Sequence, residues 1–144
     1  MTEREARAIR LTEHFTLWEF LRSDKAEELG LMEQQLGVTD EIIRNLKGLC
    51  VNVLEPLRLA VGSVIVRSGY RCPALNEAVG GSKNSQHMMG EAADIIHPMA
   101  GGNRLMYKWI RANAPFDQLI NEYDYAWVHV SYSTRNRRQV LTVR

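Results

Sequence analysis

The chain has 144 residues, which is enough for one domain with a buried core. Hydrophobic residues make up 45% and charged residues 24%, an ordinary balance for a globular protein, and the net charge of +1 argues against a nucleic-acid or anionic-membrane partner. No signal-like or membrane-spanning apolar run is visible, so a cytoplasmic location is expected as encoded.

The first part of the chain is predicted to be helical after a short lead-in. Residues 1–10 are interpreted as a polar lead-in, and a single domain is expected over 11–144. Thr16, followed by Glu19 three residues later, forms a capping-box pattern that predicts a helix over 17–21. Short helical or loop segments then lead to Gly37.

A clearer helix is predicted to begin at Thr39 and Asp40, because apolar residues recur at helical spacing as far as Leu54. Pro56 predicts a kinked last turn, and Gly62 is expected to end the helix.

The remainder alternates between helices and short strands. Helices are predicted over 73–79 and 103–114, and strands over 64–66, 92–96, 117–122, 126–133 and, at an edge, 139–143. This order predicts an α+β domain in which helices pack on a small, mostly antiparallel sheet.

Cys50 and Cys72 are the only cysteines. Two cysteines do not make a disulfide framework, so free thiols are expected, with a single disulfide as the open alternative. The one basic cluster, Arg135, Arg137 and Arg138, is interpreted as a solvated strand edge.

Two stretches carry residues suited to metal chemistry. In the run from Ser85 to Asp94, an imidazole at His87 precedes the Asp94 carboxylate by seven positions, and His129 lies in an alternating, strand-like run. Two histidines and one carboxylate make a three-ligand zinc site with a free fourth position, as a hydrolytic metal requires. On spacing alone, a surface histidine beside an ordinary strand-end aspartate explains the pattern equally well.

Three motifs resemble those of one family. The run S-Q-H-M-M-G-E-A-A-D at 85–94 resembles the S-x-H-x-x-G-x-A-x-D motif of the zinc D-Ala-D-Ala carboxypeptidase family (peptidase family M15). That family shares its site with D-Ala-D-Ala dipeptidases and the hedgehog signalling domain. S-G-Y-R at 68–71 and W-V-H-V-S at 127–131 resemble its other segments. The likeness runs from about residue 11 to the end and is strongest to small stand-alone members from bacteria and phages.

This resemblance implies that His87, Asp94 and His129 bind zinc. It also implies that Arg71 binds substrate near the scissile amide and that Ser85 helps to hold the peptide. A guanidinium at such a position would stabilise the negative charge that develops on the carbonyl oxygen during hydrolysis.

The proton acceptor is the open point of the resemblance. Many members of the family carry an acidic residue three positions before the last histidine ligand, where this chain has Ala126. Glu122 is the expected substitute, because its strand resembles the strand that carries a water-facing glutamate in the hedgehog domain. Asp124 is the second candidate, and an exposed strand-end carboxylate without a catalytic role is an equal interpretation of Glu122.

Structural roles are expected for several neighbours of these motifs. Gly90 and Ala92 are expected where the chain passes tightly behind the metal, so that larger side chains would push the ligands apart. Trp127 is expected in the core, His97 in an exposed turn, and His14 near the first helix as a packing or capping residue.

The sequence therefore predicts a monomeric zinc-dependent peptidase that hydrolyses peptidoglycan stem peptides, of the D-Ala-D-Ala carboxypeptidase or endopeptidase type. A carboxypeptidase requires a cationic pocket for the terminal carboxylate, whereas an endopeptidase requires an open groove. Action at the cell wall would need a separate release route. The alternatives are a non-catalytic zinc-containing domain that binds peptidoglycan or a protein partner, and a metal-free α+β domain.

Overall fold

The computed structural model describes residues 1–144 and has the expected α+β architecture. A two-stranded hairpin lies near the N-terminus, and the main sheet has five strands in the order β3-β4-β6-β5-β7. All of its neighbours pair antiparallel except β5 and β7, which are parallel. The strands are β1 (Arg10–Thr12), β2 (Phe15–Thr16), β3 (Ile65–Ser68), β4 (Ala92–Ile96), β5 (Gln118–Glu122), β6 (Trp127–Ser131) and β7 (Gln139–Val143).

Most helices are short, and no helix is both long and apolar enough to cross a membrane. The helices are α1 (Glu3–Ala8), α2 (Leu17–Leu21), α3 (Asp24–Glu28), α4 (Met32–Gln35), α5 (Asp40–Leu49), α6 (Glu55–Val61), α7 (Pro73–Ala78) and α8 (Gly102–Asn113). A π-helical segment (Cys50–Leu54) joins α5 to α6, and a 3₁₀ helix (Gln86–Met89) precedes β4.

The residues expected to form a polar lead-in are instead a docked helix. Thr2 and Glu5 form a reciprocal capping box at the start of α1, and Ala6 is fully buried in the main hydrophobic core. One alanine is too small an apolar signal for the sequence pattern to reveal this packing. The capping box at Thr16 and Glu19 is confirmed, and it opens α2 as expected.

The long central helix differs from the expectation at Pro56. The Thr39 hydroxyl accepts from the Ile42 N–H and begins α5, as predicted. In place of a kinked last turn, the helix widens before the proline, and the Glu55 N–H donates to the Cys50 carbonyl five residues earlier. Proline has no N–H and its ring crowds the preceding turn, which a wider turn relieves. Gly62, with φ of 87°, ends α6.

The main sheet has one face in the core and one that carries the candidate functional groups. Val128 and Val130 of β6 are fully buried among the helices. Because side chains alternate along a strand, His129 lies on the opposite face. The same alternation buries Ala93 and Ile95 of β4 and turns Asp94 to the face of His129.

Candidate metal centre

Strand register brings Asp94 and His129 together. The two residues are direct partners in the antiparallel pair β4–β6. Side chains of such partners lie on the same face, within contact of each other. The His129 Nδ1 atom is 2.9 Å from Asp94 Oδ1. Two segments separated by more than thirty residues of chain therefore supply adjacent donor atoms.

His87 reaches the same point from the 3₁₀ helix rather than from a loop. The Ser85 hydroxyl accepts from the His87 backbone N–H at 3.2 Å and caps this helix. The His87 Nδ1 atom is 2.7 Å from the Gly69 carbonyl oxygen, which can only accept, so Nδ1 carries the proton. This leaves the Nε2 lone pair pointing at Asp94, with Nε2 3.4 Å from Oδ1.

These three residues fit the requirements of a zinc site. Their potential ligand atoms all lie within 4.8 Å of one another. Two ligand atoms that each lie ~2.1 Å from a tetrahedral zinc ion are roughly 3.4 Å apart. The distances from Asp94 Oδ1 to His129 Nδ1 and His87 Nε2, 2.9 Å and 3.4 Å, are close to this value. The backbone carbonyl that orients His87 is the kind of outer partner that ligating histidines usually have. The donor set therefore suits zinc.

The charge state of Asp94 also suits a ligand. Asp94 is 6% exposed and His87 3% exposed. Burial alone would raise the pKa of Asp94, but its contacts with the two imidazoles, the His129 hydrogen bond foremost, outweigh it and hold that pKa well below its usual range. The carboxylate is thus ionised across the physiological pH range.

Arg71 is held beside this group by three hydrogen bonds. Its guanidinium donates to Asp94 Oδ2 at 3.3 Å, to the Ser68 hydroxyl at 3.2 Å and to the Asn76 side-chain oxygen at 3.4 Å. A guanidinium has five N–H donors, so two are left to face a ligand. Ser68 opens the S-G-Y-R segment, but no contact with Arg71 was predicted for it, and Asn76 lies in no motif of the sequence.

A close neighbour was expected behind Gly90, and that neighbour is helix α5. The φ angle of Gly90 is 72°, and a Cβ atom added there would lie 2.7 Å from the Ile42 carbonyl oxygen of α5. Ala92 is fully buried in β4, opposite Ser131. Both small residues allow the segment between His87 and Asp94 to pass close to its neighbours.

The His–Asp–His group lies in a cavity of about 470 Å³ that also contains Glu122 and Ser85. Ile120 is the one hydrophobic residue in its lining. Glu122 is paired with Trp127, two positions along β6 from His129. Asp124 is exposed in the following turn and does not line this cavity. Of the two candidate proton acceptors, only Glu122 shares a cavity with the donor group.

A second cavity, of about 480 Å³, adjoins the first at Arg71 and Asp94. Trp127 lines it and is half-buried there rather than packed in the core, with the Arg67 guanidinium 4.6 Å from its ring centre. The expectation of a core tryptophan is therefore wrong: the alternation of β6 places this side chain on the same face as His129. Both cavities therefore border the His–Asp–His group at Asp94.

The basic cluster near the C-terminus is not a solvated strand edge. Asp117, which is 0% exposed, accepts hydrogen bonds from the guanidinium groups of Arg135 and Arg137. Both arginines line the first cavity. Arg138 instead covers the Phe116 ring at 4.4 Å and donates to two carbonyls of the α8 region.

The other histidines and the cysteines have structural roles. His97 is half-buried rather than exposed: its Nε2–H donates to the Val61 carbonyl, and its Nδ1 accepts from the Met99 N–H. His14 was expected to pack or cap near the first predicted helix. Its Nδ1 atom instead lies 2.6 Å from a carboxylate oxygen of Glu55, at the start of α6. Cys50 and Cys72 are buried free thiols.

Comparison with known families gives one match. The family model described as Peptidase M15 matches residues 13–131, which is most of the chain and includes His87, Asp94 and His129. No curated protein matches the chain significantly.

Proposed function

Because the chain belongs to the Peptidase M15 family, we propose that it is a zinc-dependent peptidase that hydrolyses stem peptides of bacterial peptidoglycan. The observation that carries this proposal is the convergence of His87, Asp94 and His129 in a polar cavity that also holds Arg71 and Glu122. In this proposal the first three residues hold the zinc ion. The chemistry that zinc supplies in such a site is polarisation of a carbonyl and a lowered pKa for water.

Glu122 accepts the proton in the proposed reaction. Water adds to the scissile carbonyl carbon, and its proton passes to the Glu122 carboxylate. The same proton then passes to the amine nitrogen as the C–N bond breaks, so that one acid and one amine leave the site. This role is supported by the position of Glu122 in the cavity and by the absence of a proton-accepting side chain at Ala126.

Arg71 and Ser85 hold the reacting peptide. The two N–H donors that Arg71 does not use within the protein are available to the carbonyl oxygen as negative charge develops on it. Its contacts with Ser68, Asn76 and Asp94 fix the guanidinium in advance, which lowers the cost of ordering it around a substrate. Ser85 lines the cavity in which the peptide is held. Its hydroxyl also caps the 3₁₀ helix that carries His87.

The polar cavity also supports peptide as the partner rather than nucleic acid or membrane. Its lining combines cationic, anionic and amide side chains, which match the backbone and carboxylates of a stem peptide. We propose that the protein acts on this substrate as a monomer, because all three donors of the metal-binding group come from one chain.

The test is cleavage of purified stem peptides by the zinc-loaded protein, with and without a chelator. Cleavage should stop on chelation and return with added zinc. Glu122→Gln should lower kcat by on the order of 100-fold or more while zinc still binds. Asp124→Asn is the matched control, since it removes the same charge from the neighbouring turn and should leave kcat unchanged. Full activity of Glu122→Gln would remove Glu122 from the mechanism.

A second candidate function is a non-catalytic zinc-containing domain that binds peptidoglycan or a protein partner. The observation in its favour is Ala126, which occupies the position where many relatives carry an acid. Zinc binding without cleavage of any stem peptide would favour this function over the peptidase.

A further inference from the structure

We propose that Asn121 and Asn103 are positioning residues for the Glu122 carboxylate, because they hold the strained turn that follows it. This turn, residues 123–126, joins β5 to β6 and is called the β5–β6 turn below. The proposal rests on the peptidase function, in which Glu122 accepts the proton. It adds two residues that act on the reaction through Glu122 without touching the substrate.

The β5–β6 turn has an unusual backbone. Tyr123, Asp124 and Tyr125 have φ angles of 51°, 54° and 62°. A positive φ is unfavourable for a residue with a Cβ atom, and the left-handed conformation normally occurs at single residues rather than at three in succession. Such a backbone persists only where the surrounding structure holds it.

Asn121 holds the turn from within β5. Gln118, Ile120 and Glu122 of this strand line the cavity, so Asn121 lies on the opposite face, where it is 7% exposed. Its side-chain oxygen accepts the Tyr125 backbone N–H at 2.7 Å. A polar side chain directed away from the cavity is thus bonded to the turn, and it directly precedes Glu122 in the chain.

Asn103, in the first turn of α8, holds the β5–β6 turn from the other side. Its side-chain N–H group donates to the Tyr125 carbonyl at 2.9 Å and to the Ala126 carbonyl at 3.3 Å. Its side-chain oxygen accepts the His97 backbone N–H at 2.7 Å, just after β4 ends. One asparagine therefore connects the turn to the end of β4, the strand that carries Asp94.

Aromatic contacts link the turn to both of its neighbours. The Tyr125 ring meets the Tyr107 ring of α8 edge-on, with ring centres 5.6 Å apart. The Tyr123 ring packs against Trp127, with ring centres 5.2 Å apart, and Trp127 is the β6 partner of Glu122. A turn that relaxed would therefore disturb the strand pair that carries Glu122.

Glu122 depends on this turn because it is the last residue of β5. The side-chain hydrogen bonds that fix Arg71 and Asp94 have no counterpart at the Glu122 carboxylate. The Ala126 N–H donates to the Glu122 carbonyl at 3.0 Å, which couples the turn to the end of the strand. A general base must lie within hydrogen-bond reach of its proton, and a displacement of about 1 Å can cost on the order of 100-fold in rate.

The first experiment measures cleavage of a stem peptide by the zinc-loaded variants. Asn121→Leu keeps a side chain of similar size and removes the acceptor, so kcat should fall by about 10-fold to 100-fold. KM should change by less than about 2-fold, because the base acts in the transition state rather than in substrate binding. Asn103→Ala should lower kcat in the same way, by about 10-fold.

Two further variants are the controls for this experiment. Asn121→Asp retains an oxygen that can accept the Tyr125 N–H, so kcat should stay within about 3-fold of the wild-type value. Asn52→Leu removes a comparable side-chain bond, to the Gly48 carbonyl inside a helix, and should leave kcat unchanged.

A second substitution in the turn tests the role of strain. Glycine adopts a positive φ without steric cost, so a turn with Asp124→Gly should depend less on its asparagine contacts. Added to Asn121→Leu, Asp124→Gly should raise kcat by about 3-fold or more. Asp124→Asn is the matched control, because asparagine and aspartate tolerate the left-handed region similarly, and it should give no recovery.

The second experiment observes the turn and Glu122 without catalysis. Hydrogen exchange at the Tyr125 amide should be about 10-fold faster or more in Asn121→Leu, with exchange at the Val130 amide in β6 unchanged. In protein loaded with cobalt(II), the paramagnetic NMR shift of the Glu122 carboxyl carbon depends on its position relative to the metal. That shift should change in Asn121→Leu and be retained in Asn121→Asp.

Each outcome bears on one proposal. An unchanged kcat, or an unchanged Glu122 shift, in Asn121→Leu would overturn the positioning role and leave the peptidase intact. A joint loss of kcat, zinc affinity and thermal stability, without recovery by Asp124→Gly, would make Asn121 merely structural. If Asn121→Leu does not fold, Asn103→Ala serves for the same comparisons. Absence of any cleavage by the wild type would count against the peptidase, and the exchange and cobalt measurements would still decide whether the asparagines hold Glu122.

Discussion

Two buried carboxylates on this protein have similar surroundings and different chemistry. Asp94 contacts two imidazoles and one guanidinium, and Asp117 contacts two guanidinium groups. In both cases these contacts lower the pKa of the acid. Imidazoles can release their protons and share a metal, whereas guanidinium groups keep theirs. The comparison indicates that the partners, rather than the carboxylate itself, decide whether a buried carboxylate suits a metal ion or anchors cationic side chains.

Loss of the Asp94 carboxylate should have the largest effect. In Asp94→Asn, zinc affinity should fall by about 1000-fold or more, because a neutral amide oxygen replaces the charged ligand. The measurement is zinc titration against a chromophoric competitor, with thermal unfolding as a second readout: zinc should stabilise the wild type and not the variant. Asp117→Asn is the reciprocal control, and an equal loss of zinc affinity there would break the distinction between the two carboxylates.

Loss of the Asp117 carboxylate should mainly affect stability. In Asp117→Asn, the two arginines lose a charged acceptor that is fully buried, and we expect the free energy of unfolding to fall by about 2–3 kcal/mol. Urea unfolding of the metal-free protein at neutral pH measures this change. A variant as stable as the wild type would show that the arginine loop is not anchored by charge.

Lowering the pH should weaken the contacts of Asp117 with the two arginines in the wild-type protein. Hydrogen bonds from Arg137 lower the pKa of Asp117 to about 2, against the effect of burial. A lowered pKa contributes stability above the unfolded value of about 3.9, and this contribution is lost as the pH falls from about 4 to about 2. It amounts to about 2 kcal/mol. Free energies of unfolding measured across this pH range test the prediction. The value for Asp117→Asn should fall less than the value for the wild type.

Two capping serines should produce the smallest effects and separate the two regions. Ser85→Ala removes the cap on the His87 helix and should cost about 1 kcal/mol, with a few-fold loss of zinc affinity. Ser133→Ala removes a comparable backbone contact at Arg135 and should leave zinc affinity unchanged. Zinc titrations of both variants, run in parallel, test this difference. An equal loss of zinc affinity in Ser85→Ala and Ser133→Ala would contradict it.

Sequence patterns predicted much of the fold because they are local. The strand at Ala92–Ile96 and the helix start at Thr39 follow from alternation and capping, which depend on a few neighbouring residues. The helix at Glu3–Ala8 was missed although Thr2 and Glu5 carry the same local capping-box pattern as Thr16 and Glu19; only the docking of its single buried alanine depends on elements elsewhere in the chain. Trp127 and His97 were misplaced for the same reason: sheet faces and contacts between helix ends are tertiary features.

By itself, the sequence determined the residue types and spacings of the candidate metal site, since His87, Asp94 and His129 lie in motifs that can be read along the chain. Only the tertiary structure decided that their donor atoms meet, because the pairing of β4 with β6 and the Gly69 carbonyl aim them at one point. It alone also decided that Arg135 and Arg137 pair with Asp117. Their partner Asp117 lies 18 and 20 residues away along the chain, and electrostatic attraction depends on distance through space rather than along the sequence.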